Sequence, residues 1–151
     1  MFLEFVEEQM ILFVALGVIA VMLVFSYFSD KMAGYNSVNA DEAVHLYNND
    51  AKVFDVRTPA EFKGGYIGEA ENITTEALLK KVENLSLAKE TPILIYCETG
   101  MRSGTTAKKL VKAGYTNINN LSGGILAWQN ASLPINKPIS KKKQKKDKKG
   151  S

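Results

Sequence analysis

Residues 93–107 read Ile-Leu-Ile-Tyr-Cys-Glu-Thr-Gly-Met-Arg-Ser-Gly-Thr-Thr-Ala, and this stretch decides the fold of the chain. A β-rich apolar run ends at Cys97, the only cysteine, and a short loop containing Gly100 and Arg102 leads to a helical pattern that begins at Ser103. A thiol between the carboxyl end of a strand and the amino end of a helix lies among unpaired backbone N–H groups and the positive end of the helix dipole. Because these surroundings favour the thiolate, which is the nucleophile, we expect Cys97 to be ionised and reachable.

Strands and helices alternate on both sides of this stretch. The apolar strand segments are residues 51–56, 93–96 and 116–121, and the helical segments follow the capping residues Asn39 and Thr58, cover residues 76–87 and 103–113, and end with a helix through Trp128. This alternation predicts an α/β fold in which helices cover both faces of a parallel sheet. Active sites of open sheets of this kind lie at the carboxyl ends of the strands, where Cys97 is expected.

Three further segments, together with the Cys97 loop, resemble sequence elements of one protein family. Residues 54–62 look like the D-V-R-x-x-x-E-F element, residues 65–73 like the G-H-I-P-G-A-x-N-I element and residues 114–128 like the G-(F/Y)…L-x-G-G-x-x-x-W element of the rhodanese family of sulfurtransferases. Tyr66 stands where that family usually has His, and Gly68-Glu69 replaces Pro-Gly. The resemblance runs from Tyr35 to Pro134 and implies a three-layer α/β/α domain, which we assign to residues 36–134.

The resemblance also implies a reaction. Thiolate Cys97 takes the outer sulfur of thiosulfate or a persulfide, becomes a persulfide itself, and passes that sulfur to a thiol or cyanide. Four residues separate Cys97 from Arg102, whereas cysteine-dependent phosphatases use five, so the shorter loop is similar to that of sulfurtransferases. The expected substrate-binding loop consists of Glu98, Thr99, Gly100, Met101, Arg102 and Ser103. No cofactor and no metal site are expected.

Individual side chains near the loop have separate expected roles. Arg102 offers a planar fork of donors to an anionic sulfur donor, and the alternative, a structural salt bridge that holds the loop, is compatible with this role. Ser103 is expected to cap the helix that follows. Asp55 and Arg57 are expected to pair near the same edge of the sheet, mainly in a structural role.

Glu98 follows the nucleophile directly. A carboxylate in this position repels an incoming dianion and tends to raise the pKa of the neighbouring thiol. We therefore expect weak activity with thiosulfate, and we expect Glu98→Gln to improve it.

The first 28 residues predict a membrane anchor. Residues 10–28 contain no charged side chain and are long enough to cross a bilayer as a helix, after a short acidic N-terminus over residues 1–9 and before a linker over residues 29–35. A signal peptide is disfavoured because Glu4, Glu7 and Glu8 replace a basic n-region. Since Lys31 follows the span, the positive-inside tendency places the N-terminus outside and the domain in the cytoplasm.

The C-terminal end is rich in lysine. The chain carries 19 Lys and Arg against 16 Asp and Glu, and seven of the lysines lie between Lys141 and Lys149. Residues 135–151 are therefore predicted to be a disordered tail, which is either only solvated or attracted to anionic lipid headgroups. No aromatic residues alternate with these lysines, so no nucleic-acid partner is expected.

Two other functions remain open from the sequence. A tethered domain could bind a partner, such as another membrane protein, without transferring sulfur as its main role. In a thiol redox sensor, Cys97 would instead be oxidised to the sulfenic acid. A persulfide-sized mass gain on Cys97, discharged by a thiol acceptor, distinguishes the sulfurtransferase from both.

Overall fold

A computed structural model describes residues 2–138 and divides the chain into two compact units, residues 1–34 and 35–151. The first unit is helix α1, Phe2–Met32. Within it, Gln9–Phe28 is apolar and long enough to cross a membrane, and the large side chains of residues 10–28 are exposed. The helix includes the first part of the predicted linker, because nothing interrupts it before Gly34, which has a φ of 73°.

The second unit is built on a parallel sheet of five strands. Its order is β1-β5-β4-β2-β3, and every neighbouring pair is parallel. The elements in chain order are β1 (Asn36–Val38), α2 (Ala40–Asn48), β2 (Lys52–Asp55), α3 (Pro59–Lys63), β3 (Glu71–Asn72), α4 (Thr75–Asn84), β4 (Ile93–Tyr96), α5 (Met101–Lys112), β5 (Ile118–Leu121) and α6 (Gly124–Asn130). The predicted three-layer α/β/α architecture is confirmed.

The two faces of the sheet bury separate apolar clusters. Strand β4 alternates between them, with Leu94 and Tyr96 on one face and Ile93 and Ile95 on the other. The first cluster receives side chains from α2 and α6, including Trp128, and the second receives side chains from α4 and α5. Strand β4 therefore lies in the middle of the core, which fixes the position where Cys97 leaves the sheet.

Two short edge strands were not predicted. Strand β1, between the predicted linker and the cap residue Asn39, pairs with β5, and β3 pairs with β2 through Phe54 and Asp55. Neither strand has an apolar run. Each is therefore defined by its pairing with a neighbouring strand and not by its local sequence. Helix α4 ends at Asn84, three residues before the predicted end.

The end of the domain extends past its predicted boundary. Residues 135 and 136 were assigned to the tail, but Asn136 forms an antiparallel bridge with Tyr66 and its side chain donates to the Gly68 carbonyl at 2.7 Å. The lysine-rich segment from Lys141 to Lys149 and its predicted lipid contacts lie outside the described residues.

Candidate active site

Cys97 follows the last residue of β4 and precedes a tight loop into α5. The loop turns at Gly100, the residue before the helix, which has a φ of 93°. A Cβ atom there would lie 3.0 Å from the Leu121 carbonyl oxygen, so both the backbone conformation and the space favour glycine. The side chain of Asn120 donates to the Gly100 carbonyl at 3.1 Å and helps to hold the turn.

The sulfur of Cys97 accepts hydrogen bonds from its own loop. The Gly100 N–H lies 3.1 Å from Sγ, and the Ser103 hydroxyl lies 3.4 Å from it. Burial raises the pKa of the Cys97 thiol, but hydrogen bonds from the Ser103 hydroxyl and from the N–H groups of Ser103, Thr99 and Gly100 outweigh it. The pKa therefore lies below its ordinary value, and the site favours the thiolate.

Cys97 has no exposed surface, which differs from the expected reachable thiol. The reason is that α6 holds the loop down. The N–H of Ile125 donates to the Cys97 carbonyl at 2.9 Å, and the N–H of Leu126 donates to the Glu98 carbonyl at 3.3 Å. A Cβ atom at Gly124 would lie 2.4 Å from both carbonyl oxygens, so only glycine permits this close approach.

Ser103 is not the helix cap that the sequence suggested. Helix α5 begins at Met101 and Gly100 occupies the cap position, so Ser103 lies in the first helical turn. From there its buried hydroxyl reaches Cys97 Sγ. The helix starts earlier than predicted because Gly100 supplies the left-handed residue that turns the chain.

Asp55 and Arg57 form an ion pair at the end of β2, next to β4. The Arg57 guanidinium donates to both Asp55 oxygens, at 2.7 to 3.0 Å, and to the Gly65 carbonyl at 2.7 Å. Burial lowers the pKa of Arg57, but the hydrogen bond and the charge of Asp55 raise it by more, so this buried side chain stays charged. The mainly structural role expected of the pair remains a prediction.

Arg102 contacts Glu61 of α3, whose hydrogen bonds raise the pKa of Arg102, and the nearby charge of Cys97 also contributes to raising it. Its guanidinium forms a two-point ion pair with Glu61, at 2.8 and 3.1 Å. Of the two roles left open for Arg102, this contact is the structural salt bridge. The hydrogen bond from Arg102, followed by those from Thr58, lowers the pKa of Glu61 to about 2.

Glu98 contacts the other arginine. Its Oε2 lies 3.3 Å from Nη1 of Arg57, and its side chain is 39% exposed, so the carboxylate stands at the rim of the site. Beside it is an open cavity of about 360 Å³, lined among others by Arg57, Glu61, Ile125 and Gln129. Thr99 and Met101, the other members of the predicted loop, are exposed.

The segment that departs from the family pattern is ordered by its own contacts. The Tyr66 ring stacks on Phe62, with ring centroids 4.3 Å apart. Gly68 has a φ of 51°, and Gly65, with a φ of 146°, leaves no room for a Cβ atom beside Ile135. Of this segment, Gly65 lines the cavity, and Gly68 bends the chain farther along.

The family assignment follows from this architecture and a direct comparison. The model of the rhodanese-like domain family matches residues 39–131. The chain belongs to the rhodanese-like family. The family membership that the sequence elements predicted is therefore confirmed.

Relatives of this rhodanese-like chain include a named enzyme. The "Sulfurtransferase" of Allochromatium vinosum is 35% identical over 89 residues, which cover 59% of this chain and 81% of that protein. The uncharacterized protein YqhL of Bacillus subtilis is 41% identical over 78 residues, which cover 52% of this chain and 60% of YqhL. The crystal structure of a rhodanese-related protein from Thermoplasma volcanium has a TM-score of 0.56 and 30% identity, covering 68% of this chain and 98% of that one.

Sequence reasoning missed the role of two residues in the rhodanese-like domain. Glu61 was read only as part of the Thr58 capping box, which it does form, but it also holds Arg102. Gly124 was read only as part of a family element, although it admits the carbonyls of the Cys97 loop. The family element Gly123-Gly124 was the available signal for the second, whereas nothing local to Glu61 indicated a partner 41 residues away.

Proposed function

We propose that the chain is a sulfurtransferase that carries a sulfane sulfur on Cys97 as a persulfide. The observation that supports this most is the sulfur environment: Cys97 Sγ accepts hydrogen bonds from the Gly100 N–H and the Ser103 hydroxyl, and its pKa is lowered despite burial. Donors fixed by the fold stabilise an anion without reorganising, which suits both a thiolate and a persulfide. The named sulfurtransferase among the relatives supports the same reaction class.

The reaction has two steps. In the first, the Cys97 thiolate attacks the outer sulfur of the donor, the donor S–S bond breaks, and its electron pair leaves with sulfite or an organic thiolate. In the second, a thiolate or cyanide attacks the outer sulfur of the Cys97 persulfide and regenerates the Cys97 thiolate. The sulfur atom moves without any external oxidant or reductant.

Access to the sulfur requires movement. Because Cys97 is fully buried, a donor reaches Sγ only when residues of the loop shift. The exposed residues Thr99 and Met101 are the ones that can shift without losing core contacts. The α6 hydrogen bonds to the carbonyls of Cys97 and Glu98 keep the base of the loop in place during this movement.

Intact-mass measurement tests the proposal. The full-length protein and Cys97→Ser are exposed to thiosulfate and to small organic persulfides, and then to a thiol or cyanide. We expect one added sulfur on the original protein, removed by the acceptor, and none on Cys97→Ser. Oxygen adducts without sulfur transfer would support a redox sensor, and an unmodified Cys97 with every donor would support a binding module.

We also propose that α1 anchors this reaction to a membrane, with the domain in the cytoplasm. Gln9–Phe28 is apolar enough to span the bilayer, and Lys31 follows it on the domain side. The lysines between 141 and 149 would then face anionic lipid headgroups. In intact cells, a tag before Met1 should be cleaved by external protease while a tag after Ser151 is protected. The reverse pattern would contradict this orientation.

A further inference from the structure

The cavity beside the Cys97 loop is large enough to hold more than a sulfur atom. Its volume of about 360 Å³ equals the share of roughly a dozen liquid waters. Glu98, the residue after the nucleophile, and Ile125, whose N–H binds the Cys97 carbonyl, both line it. An organic group attached to a sulfane sulfur therefore has space next to the loop, with an apolar contact at Ile125.

Arg57, which lines this cavity, and Arg102, which follows in the Cys97 loop, are both paired with carboxylates. Arg102 is paired with Glu61 through two hydrogen bonds, and Arg57 is paired with Asp55 and also donates to Glu98. The charged side chains that line the cavity are Arg57, Glu61 and Glu98, which together carry one net negative charge before the Cys97 thiolate is counted. An anionic donor would enter against this charge, and a cationic donor would be attracted by it.

Among these carboxylates, Glu98 accepts the fewest side-chain hydrogen bonds. The oxygens of Glu61 already accept from Arg102, the Thr58 N–H and the Thr58 hydroxyl. The Asp55 side chain is fully buried against Arg57. Among the described residues, Glu98 accepts a side-chain hydrogen bond only from Arg57, through Oε2, so Oε1 has no such donor, and Glu98 lines the cavity.

We infer that the sulfur donor is an organic persulfide bearing an ammonium group, which Glu98 selects at the cavity beside Cys97. This inference rests on the proposed sulfur transfer and names its donor class. In the step, the Cys97 thiolate bonds to the outer sulfur of R–S–SH, and the S–S bond of the donor breaks. The proton stays on the transferred sulfur, and R–S⁻ leaves with the electron pair.

The test compares three alkyl persulfides of equal length that end in an ammonium, a hydroxyl or a carboxylate. The full-length protein is kept in a non-ionic detergent, and the rate of sulfur addition to Cys97 is followed by intact mass. Each rate is divided by that of Glu98→Gln with the same persulfide, which cancels the intrinsic reactivity of the donor. The hydroxyl compound then reports the general effect of the substitution on Cys97.

Relative to the hydroxyl compound, we expect a ratio about five-fold higher for the ammonium compound and about five-fold lower for the carboxylate, the size of one partly solvated charge contact. Added salt should reduce both effects. Glu98→Asp should keep part of the ammonium preference. Glu83→Gln, which removes an exposed carboxylate from α4, should keep all of it.

Equal ratios for the three persulfides would overturn the inference while leaving sulfur transfer intact. A preference for the carboxylate compound would overturn it as well, since that result means that the arginines remain available to anions. If no persulfide adds sulfur to Cys97, the proposed function itself fails.

Discussion

The thiol of Cys97 combines two opposing effects. Burial removes water from the sulfur and raises its pKa, whereas the loop replaces that water with N–H donors and the Ser103 hydroxyl. The donors prevail, so the sulfur is both buried and prone to ionise. Ser103 supplies the one side-chain donor recorded at this sulfur among residues 2–138, and it can be removed without changing the backbone.

Removing that hydroxyl should raise the pKa of Cys97. In Ser103→Ala, the thiolate loses a donor, so a higher pH is needed to reach the same ionised fraction. We expect the ionisation constant of Cys97, measured by alkylation with iodoacetamide, to fall about five-fold, the equivalent of roughly 1 kcal/mol for one hydrogen bond. The pH profile of alkylation should shift to higher pH. Thr105→Ala removes an exposed hydroxyl from the same helix and should leave the profile unchanged, whereas an unshifted profile in Ser103→Ala would contradict the assignment.

Glu98 should limit activity with thiosulfate. Its carboxylate repels a dianion at the rim and also shares the charge of Arg57 at 3.3 Å. Glu98→Gln removes the repulsion and leaves Nη1 of Arg57 with less competition, so kcat/KM for thiosulfate should rise about five-fold. Sulfite release measures the rate. An unchanged or lower kcat/KM would show that Glu98 does not oppose anionic donors.

At the scale of elements, α3 and α5 are joined by the ion pair between Glu61 and Arg102. The hydrogen bond from Arg102, followed by those from Thr58, lowers the pKa of Glu61 from 4.5 to about 2. Because the folded-state pKa lies below the unfolded one, the carboxylate contributes its full stabilisation above about pH 4.5 and loses it as the pH falls toward 2. Glu61→Gln keeps an acceptor for the capping box but lacks this titration.

The unfolding temperatures of the original protein and Glu61→Gln should therefore converge in acid. We expect the original protein to be more stable above about pH 4.5 and the difference to shrink between pH 4.5 and 2. Fluorescence of Trp128, the only tryptophan and a buried residue of α6, follows the transition. A difference that stays constant over this range would mean that Glu61 titrates normally in the folded state.

The contact between α6 and the Cys97 loop should be intolerant of any side chain at Gly124. Gly124→Ala places a Cβ atom against two carbonyl oxygens and on a φ of 58°, so we expect a loss of about 3 kcal/mol or more in the free energy of unfolding. Gly114→Ala isolates the backbone effect, because its φ is 94° but its nearest neighbour would be 3.8 Å away. That control should lose only about 1 to 2 kcal/mol. Equal losses would mean that the clash is relieved at no cost.

The sequence predicted the elements whose signals are local. The β4 strand from Ile93 to Tyr96 and the caps at Asn39 and Thr58 follow from an apolar run and from short-range hydrogen bonds, and all three are confirmed. No local pattern predicts strands β1 and β3 or the pairing of Glu61 with Arg102, because each depends on residues distant in the chain. Ser103 was misread because the conformation of Gly100 decides where α5 begins.

At the scale of the whole molecule, the candidate active site and the proposed membrane anchor belong to different compact units. The sheet, both apolar clusters and every residue of the candidate site belong to the unit that starts at Tyr35. The exposed apolar side chains of residues 10–28 belong to the other unit, and the proposed membrane span would place them in lipid. Removing the first unit should therefore change where the protein is found without changing its reaction.

A chain that begins at Tyr35 tests this division. We expect it to be soluble without detergent, to show the same Trp128 unfolding transition, and to be alkylated at Cys97 at the rate of the full-length protein. The full-length protein should sediment with membranes and be released by detergent but not by high salt or alkaline carbonate, since a spanning helix is held by its apolar length and not by charge. Release by salt alone would point to the lysines as the anchor. A changed alkylation rate would show that the first 34 residues act on the site.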